Sequence, residues 1–268
     1  MSMPQQVPIR MIVGPCRSGT TALLQAFAQH PDVHGVYQPI KTGLRLTGVP
    51  DYGIYHGSHP VFADHPVFVV AKETLGHSTW DECLFDPLEN EAVIRQVRPL
   101  FVFRHPVHTW NSWKRFGWGS LALFLTVYQY QYGLMSRARA ITPYAKAITV
   151  ESLSRYKSVV FPQVCAGWDV PFAPEIVGEF PQSLFDTPRL YIAPAARQYS
   201  HAQGSHETLA RSTTFAVPTV QANVTTTFEQ QVIQDVLEPL YARVRHIETA
   251  ELLAPDVLSP MHRHMSIA

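Results

Sequence analysis

Residues 9–27 read IRMIVGPCRSGTTALLQAF, and the fold is decided in this stretch. Its apolar start, Ile9 to Val13, meets Gly14-Pro15 and then Ser18-Gly19-Thr20, after which Ala22, Leu23, Ala26 and Phe27 recur at helical spacing. The order is strand, turn, helix. Gly14 and Gly19 have the G-x-x-x-x-G spacing of a phosphate-binding loop, whose backbone N–H groups and following helix N-terminus form a nest for phosphate oxygens. The triphosphate signature carries Lys where Thr20 stands here, and the nearby cation is Arg17. A P-loop lysine serves a β,γ-phosphate with its magnesium, so its replacement speaks against ordinary ATP or GTP chemistry. Arg17 suits a forked contact to a second anionic group, with the Thr20 and Thr21 hydroxyls adding hydrogen bonds. Taken alone, the same residues also suit a glycine turn with a helix cap and a solvated Arg17.

Outward from this unit the alternation continues. Val33 to Tyr37 and the apolar VFVVA run at residues 67–71 read as strands, and LFVF at residues 100–103 follows a helical stretch, Leu88 to Val97. Gly119 to Ile141 is a long helix, Ile148 to Val150 a short strand, and Tyr156 to Trp168 and Phe228 to Val244 are further helices. Continuous apolar strands alternating with helices predict a parallel sheet covered on both faces. The expected fold is α/β, a P-loop NTPase-like three-layer α/β/α architecture with a central parallel sheet. Residues 171–215 are rich in Pro, Ser and Ala with weak periodicity, and are expected to be loops with short helices.

Composition narrows the function classes. The 268 residues are 46% hydrophobic and 16% charged, enough for a large core, and residues 1–268 are read as one domain. The 21 Lys and Arg balance 21 Asp and Glu, so no basic field holds a polyanion and bulk nucleic-acid binding is not expected. Cys16, Cys83 and Cys165 are scattered and odd in number, unlike a disulfide framework. No run reaches the ~20 apolar residues of a membrane span, and the N-terminus is unlike a signal peptide, so a cytoplasmic location is expected. The 13 histidines include His56, His59, His262 and His264, but these lack the helix-spaced pairing of a zinc site, and no metal is expected.

A second anion site lies at the end of the LFVF run. There stands Arg104-His105-Pro106, followed eight residues after Arg104 by Ser112. An Arg at the carboxyl end of a parallel strand points into the crevice where this fold class binds ligands. For Arg104 the plainer alternative is a surface salt bridge, and for Ser112 a helix cap.

With both motifs in order, the chain resembles the sulfotransferases that use 3′-phosphoadenosine 5′-phosphosulfate (PAPS). The loop from Cys16 through Arg17, Ser18, Gly19, Thr20 and Thr21 is similar to their 5′-phosphosulfate loop, and Arg104 with Ser112 to their 3′-phosphate pair. The segment GPCRSGTTALLQAFAQHPDV, residues 14–33, is especially similar to the tyrosylprotein and bacterial branches. Ile148 to Leu153, followed by Ala166-Gly167-Trp168, and the helix from Phe228 to Val244 are similar to later family elements. The resemblance covers roughly the first 120 residues well and the chain to about residue 245 more faintly. It implies PAPS as donor, adenosine 3′,5′-bisphosphate (PAP) as product, and a small or carrier-bound acceptor with a hydroxyl or amine, recognised by variable loops, here residues 40–65 and 171–215. A late-loop contact to the 3′-phosphate is expected from Arg211 and Ser212, with Arg197 and Ser200 behind them. Where some relatives carry an adenine-stacking Trp this chain has Ala22; Trp110, Trp113 and Phe116 are the substitutes at hand.

The base is the open position. Relatives of the bacterial and tyrosylprotein type carry a Glu where this chain reads Val36-Tyr37-Gln38-Pro39, and the Gln38 amide accepts no proton at neutral pH. The cytosolic branch carries K-T-H at the place that resembles Lys72-Glu73-Thr74, which sets Thr74 at the catalytic position. Glu73, and after it His77, are the candidates, with Lys72 as an electrostatic helper to the sulfuryl group and Arg17 at the departing nucleotide. Each has a structural alternative: an ion pair with Lys72 or Arg104 for Glu73, a cap or satisfied polar contact for His77. A P-loop kinase and a catalytically silent nucleotide-binding module remain as other functions.

Overall fold

The computed structural model describes residues 7–76, 79–179, 184–202 and 224–253. Among them six strands form one sheet: β1 (Ile9–Pro15), β2 (Val33–Tyr37), β3 (Phe68–Leu75), β4 (Leu100–Phe103), β5 (Lys146–Thr149) and β6 (Leu190–Ile192). All pairs are parallel and the order is β5-β4-β1-β3-β2-β6. From β1 the chain builds one half of the sheet through β2 and β3, then crosses to the other side for β4 and β5. Strand order reverses at β1, and the crevice at such a reversal is where open α/β sheets bind ligands.

Strict alternation splits each strand between two cores. Met11, Val13, Val69, Ala71, Phe101 and Phe103 face one, and Ile12, Val70, Leu100, Val102 and Ile148 face the other. The first is covered by α2 (Pro39–Thr47), α4 (Glu91–Val97), α5 (Pro106–Arg115), α6 (Leu121–Ile141) and α9 (Thr227–Leu252), with α3 (Trp80–Leu84) beside them. The second is covered by α1 (Thr20–Phe27) and α7 (Val150–Trp168), where Phe27 packs on Trp168 at 4.9 Å and on Phe161 at 5.7 Å between ring centroids. Strands buried on both faces read as continuous apolar runs for this reason. The observed architecture is the three-layer α/β/α fold with a central parallel sheet that the sequence leads one to expect. Among the described residues no helix is long and apolar enough to cross a membrane.

Three segments differ from the sequence reading. Residues 146–149 form β5, two residues earlier than expected, and α7 begins at Val150 because the Thr149 hydroxyl accepts the Ser152 N–H at 3.2 Å as a helix cap; the backbone kinks at Tyr156, where the sequence pattern starts its helix. Within the stretch expected to be loops with short helices, Leu190–Ile192 instead adds β6 at the sheet edge, and the short helix α8 (Pro194–Ala202) follows it. The segment 40–65 opens as helix: α2 occupies Pro39–Thr47.

The closing helix also carries a titrating carboxyl. Glu248 of α9 is 1% exposed and accepts from the Thr149 N–H at 2.8 Å and from its hydroxyl at 2.9 Å. Burial pushes its pKa up to about 7, against the opposing pull of these hydrogen bonds. A carboxyl whose native pKa lies above its unfolded value stabilises most when protonated, and that contribution is lost as pH rises through the native value. Glu248→Gln keeps the shape and removes the proton. The wild-type chain should therefore lose stability relative to the variant between about pH 4.5 and 7, by on the order of 3 kcal/mol, measured by urea unfolding across that range; parallel pH profiles would count against it.

Candidate functional site

Two arginines from the ends of β1 and β4 meet in the crevice. The β1–α1 turn is closed by contacts that leave no room for a side chain at Gly14: a Cβ there would lie 2.6 Å from Ser18 Oγ, 2.7 Å from Thr20 Cγ2 and 2.8 Å from the Val102 carbonyl oxygen. Arg17 (φ 71°) and Gly19 (φ 81°) take left-handed backbone, which turns the chain into the helix. For a non-glycine residue this costs ~1–2 kcal/mol. The Cys16 N–H donates to the Leu75 carbonyl at 2.6 Å, its thiol to the Gly76 carbonyl at 3.2 Å, and its own carbonyl accepts Trp113 Nε1 at 2.8 Å. Ser18 donates from both N–H and hydroxyl to the Pro15 carbonyl, at 3.2 and 2.7 Å. Cys16 and Ser18 thus spend these donors inside the fold and shape the loop. The start of α1 at Thr20 and Thr21 has no side-chain cap and no acidic residue in its first turn, so the positive end of its dipole is uncompensated.

Arg17 Nε donates to Ser112 Oγ at 2.9 Å, and its guanidinium lies 4.6 Å above the Phe116 ring. Arg104 Nη1 donates to the Arg17 carbonyl at 3.3 Å, so the two expected anion sites are contiguous. Both arginines are half-buried, and among the described residues neither is ion-paired with a carboxylate. Burial, then proximity to Arg104, lowers the Arg17 pKa from its ordinary value; burial lowers that of Arg104, with Glu151 opposing. That carboxylate is itself engaged, accepting the His105 N–H at 3.0 Å and the Tyr241 hydroxyl at 2.9 Å. Among the described residues, the buried Nε of Arg104 has no hydrogen-bond partner. An unsatisfied charged donor of this kind costs free energy in the free protein and is stabilised by an anion. Ser112 lies in the second turn of α5 and does not cap it. The carbonyl of Arg104 accepts from the Tyr128 hydroxyl at 3.0 Å, which fixes the turn into α5.

The end of β3 separates what the sequence set side by side. Lys72 and Glu73 are fully buried on opposite faces of the sheet. Glu73 Oε1 accepts the N–H of Ile40 at 2.7 Å and of Lys41 at 3.4 Å, the first N–H groups of α2, while the buried Oε2 has no partner among the described residues. Burial pushes its pKa up. Lys72 Nζ lies 3.9 Å from the centre of the Tyr37 ring, and burial drives its pKa down. Gln38 donates from its amide to the Thr74 hydroxyl, joining the two residues that stand where the resemblance expects Glu and His.

Sequence reading missed Lys41. Its side chain is fully buried; Nζ donates to the Thr74 carbonyl at 3.1 Å and to that of Gly76, and pairs with Glu82 at 3.3 Å. It ties the end of β3 to α2 and α3, and only tertiary packing distinguishes it from an ordinary surface lysine. Trp110 and Trp113 are core residues at 3% and 0% exposure, whereas Phe116 lies against Arg17. His77, Arg211 and Ser212 lie outside the described residues. Arg197 is on α8; the chain is described again at Val224, whose N–H donates at 2.7 Å to the Asn111 side chain, next to Ser112. Among the described residues no group of His, Cys, Asp and Glu could hold a metal ion.

No family model and no curated protein matches the chain. Among solved structures, the sulfotransferase domain of the Synechococcus PCC 7002 olefin synthase is similar over 88% of this chain and 97% of its own, at 12% identity and a TM-score of 0.41. The mouse sulfotransferase SULT7A1, in complex with PAP, is similar over 91% of this chain and 88% of its own, at 13% identity and a TM-score of 0.46.

Gly76 links β3 to this site. Its φ of 101° suits glycine, and an added Cβ meets the Trp113 ring, whose Nε1 holds the loop carbonyl of Cys16. Gly76→Ala should destabilise the chain by about 1–3 kcal/mol, lowering Tm by roughly 3–10 °C in calorimetry, and an unchanged Tm would contradict this packing.

Proposed function

We propose that the chain transfers a sulfuryl group from PAPS to a hydroxyl or amine of a small or carrier-bound metabolite, releasing PAP. One observation carries this: two half-buried arginines, contiguous in one crevice and without a carboxylate partner among the described residues, with the buried Nε of Arg104 unsatisfied. One doubly anionic nucleotide satisfies both. In this assignment Arg104 and Ser112 hold the 3′-phosphate, with Arg211 and Ser212 as further candidates. The open start of α1, with Thr20, Thr21 and the Arg17 guanidinium, holds the 5′-phosphosulfate. Arg17 then neutralises charge growing on the departing phosphate, the moment at which a preorganised cation contributes most. Thr20 in place of the P-loop lysine supports a donor other than a nucleoside triphosphate.

A silent nucleotide-binding module is the second reading, favoured by the Gln38 to Thr74 hydrogen bond at the expected base position. Release of labelled product from labelled PAPS separates the two.

Calorimetry tests the donor site without an acceptor. PAP should bind more tightly than ATP, and Arg17→Ala and Arg104→Ala should each weaken PAP by about 2–3 kcal/mol, some 30- to 150-fold. A preference for ATP, or unchanged affinity in both variants, rejects the assignment.

A further inference from the structure

Sulfuryl transfer to an alcohol or amine needs a group that takes the acceptor's proton, and among the described residues around β3, which do not include His77, few can serve. The Glu73 carboxylate lies on the far face of the sheet, where its Oε1 accepts from the N-terminus of α2. Gln38 and Thr74, joined by a hydrogen bond, do not accept a proton near neutrality. On the same face as Thr74 stands Lys72, paired across the sheet with Ile12 of β1 and Tyr37 of β2.

That face is the one beneath the start of α1. Gly14 is the lateral partner of Thr74, and the direction of its missing Cβ leads to Thr20, the first residue of the helix assigned to the phosphosulfate. Lys72 lies two residues before Thr74, a distance of about 6.6 Å along the strand, which the four-carbon stem of a lysine spans. Its ammonium position is walled by Tyr37 rather than by a carboxylate.

We propose that Lys72, as the neutral amine, is the catalytic base of the transfer, an inference that rests on the sulfuryl-transfer reading above. Nζ takes the proton from the acceptor's O–H or N–H as that atom bonds to sulfur. The bond from sulfur to the bridging phosphate oxygen breaks, its electron pair stays on the departing PAP beside Arg17, and Lys72 is left as the ammonium, which returns its proton to water.

The surroundings favour the neutral amine. Burial is the largest influence and lowers the pKa; Cys16 and Glu73 raise it, while Lys41 and Arg45 lower it. Contact with the Tyr37 ring favours the charged form by ~0.5–2 kcal/mol, less than the cost of a fully buried ammonium. The sign follows: the base is present above the Lys72 pKa and lost as pH falls through it.

A fixed cation that merely attracts the sulfuryl group is the alternative, and Lys72→Arg separates the two, because arginine keeps the charge and gives up no proton. The probe is labelled PAPS with water as acceptor, read as inorganic sulfate release, alongside calorimetry with PAP. Lys72→Met and Lys72→Arg should both lose about 100-fold or more in turnover with PAP affinity within about threefold of wild type, and wild-type turnover should fall tenfold per pH unit below the Lys72 midpoint. The 13Cε resonance of Lys72, identified by its absence from Lys72→Met, should titrate at least about two units below the ordinary ~10.4. Substantial activity in Lys72→Arg, or a midpoint near 10, overturns the assignment of the base while leaving the donor site standing. If wild type binds PAP but transfers the label neither to water nor to any of a panel of alcohols, phenols and amines, the silent module is correct and both fall. If PAP does not bind at all, the donor site itself is wrong.

Discussion

The constraint on which the site depends is the closure of the backbone between Gly14 and Thr20. β1 runs between β3 and β4 and must turn at its carboxyl end without a side chain, since Ser18, Thr20 and the Val102 carbonyl occupy the space where a Cβ would go. The left-handed backbone at Arg17 is held by bonds from outside the turn: the Cys16 N–H to β3, the Cys16 carbonyl to Trp113 of α5, and the Arg17 carbonyl to Arg104 at the end of β4. Three neighbouring elements therefore hold a strained conformation that local preference alone would not keep.

Those contacts also set the electrostatics. Half-burying two guanidiniums beside each other opposes folding, because each loses hydration and each repels the other. A carboxylate can offset this, but here Glu151, whose charge acts on Arg104, is bound by the His105 N–H and the Tyr241 hydroxyl. Among the described residues the protein thus retains an unsatisfied donor at Arg104 and an open helix start at Thr20, both costs in the free state that an anion there would offset. Stability sacrificed at one place and not recovered locally is the usual mark of a binding site.

The end of β3 shows how a single alternation of the strand divides labour. Glu73, turned to one core, anchors α2; Lys72, turned to the other, stands under α1 beside Tyr37. Lys41 then carries the strand's last carbonyls into the α2–α3 side of the molecule and pairs with Glu82. A buried ion pair of this type contributes more to a unique arrangement than to net stability.

Residues 9–27 alone determined that a strand, a glycine turn and a helix come in that order, and continuous apolar strands determined a parallel sheet buried on both faces, because side-chain period and turn chemistry are local properties of the chain. Arg17, Arg104 and Ser112 were legible for the same reason, each lying at a strand end or at a fixed step beyond one. What tertiary structure alone decided was which of these side chains meet. Lys72 and Glu73 are adjacent in sequence yet lie in different cores, Lys41 is buried although its helix has polar neighbours, and the three residues of β6 become a strand only because β2 offers its edge. Contact between residues dozens of positions apart depends on how the layers pack, and no local pattern encodes it.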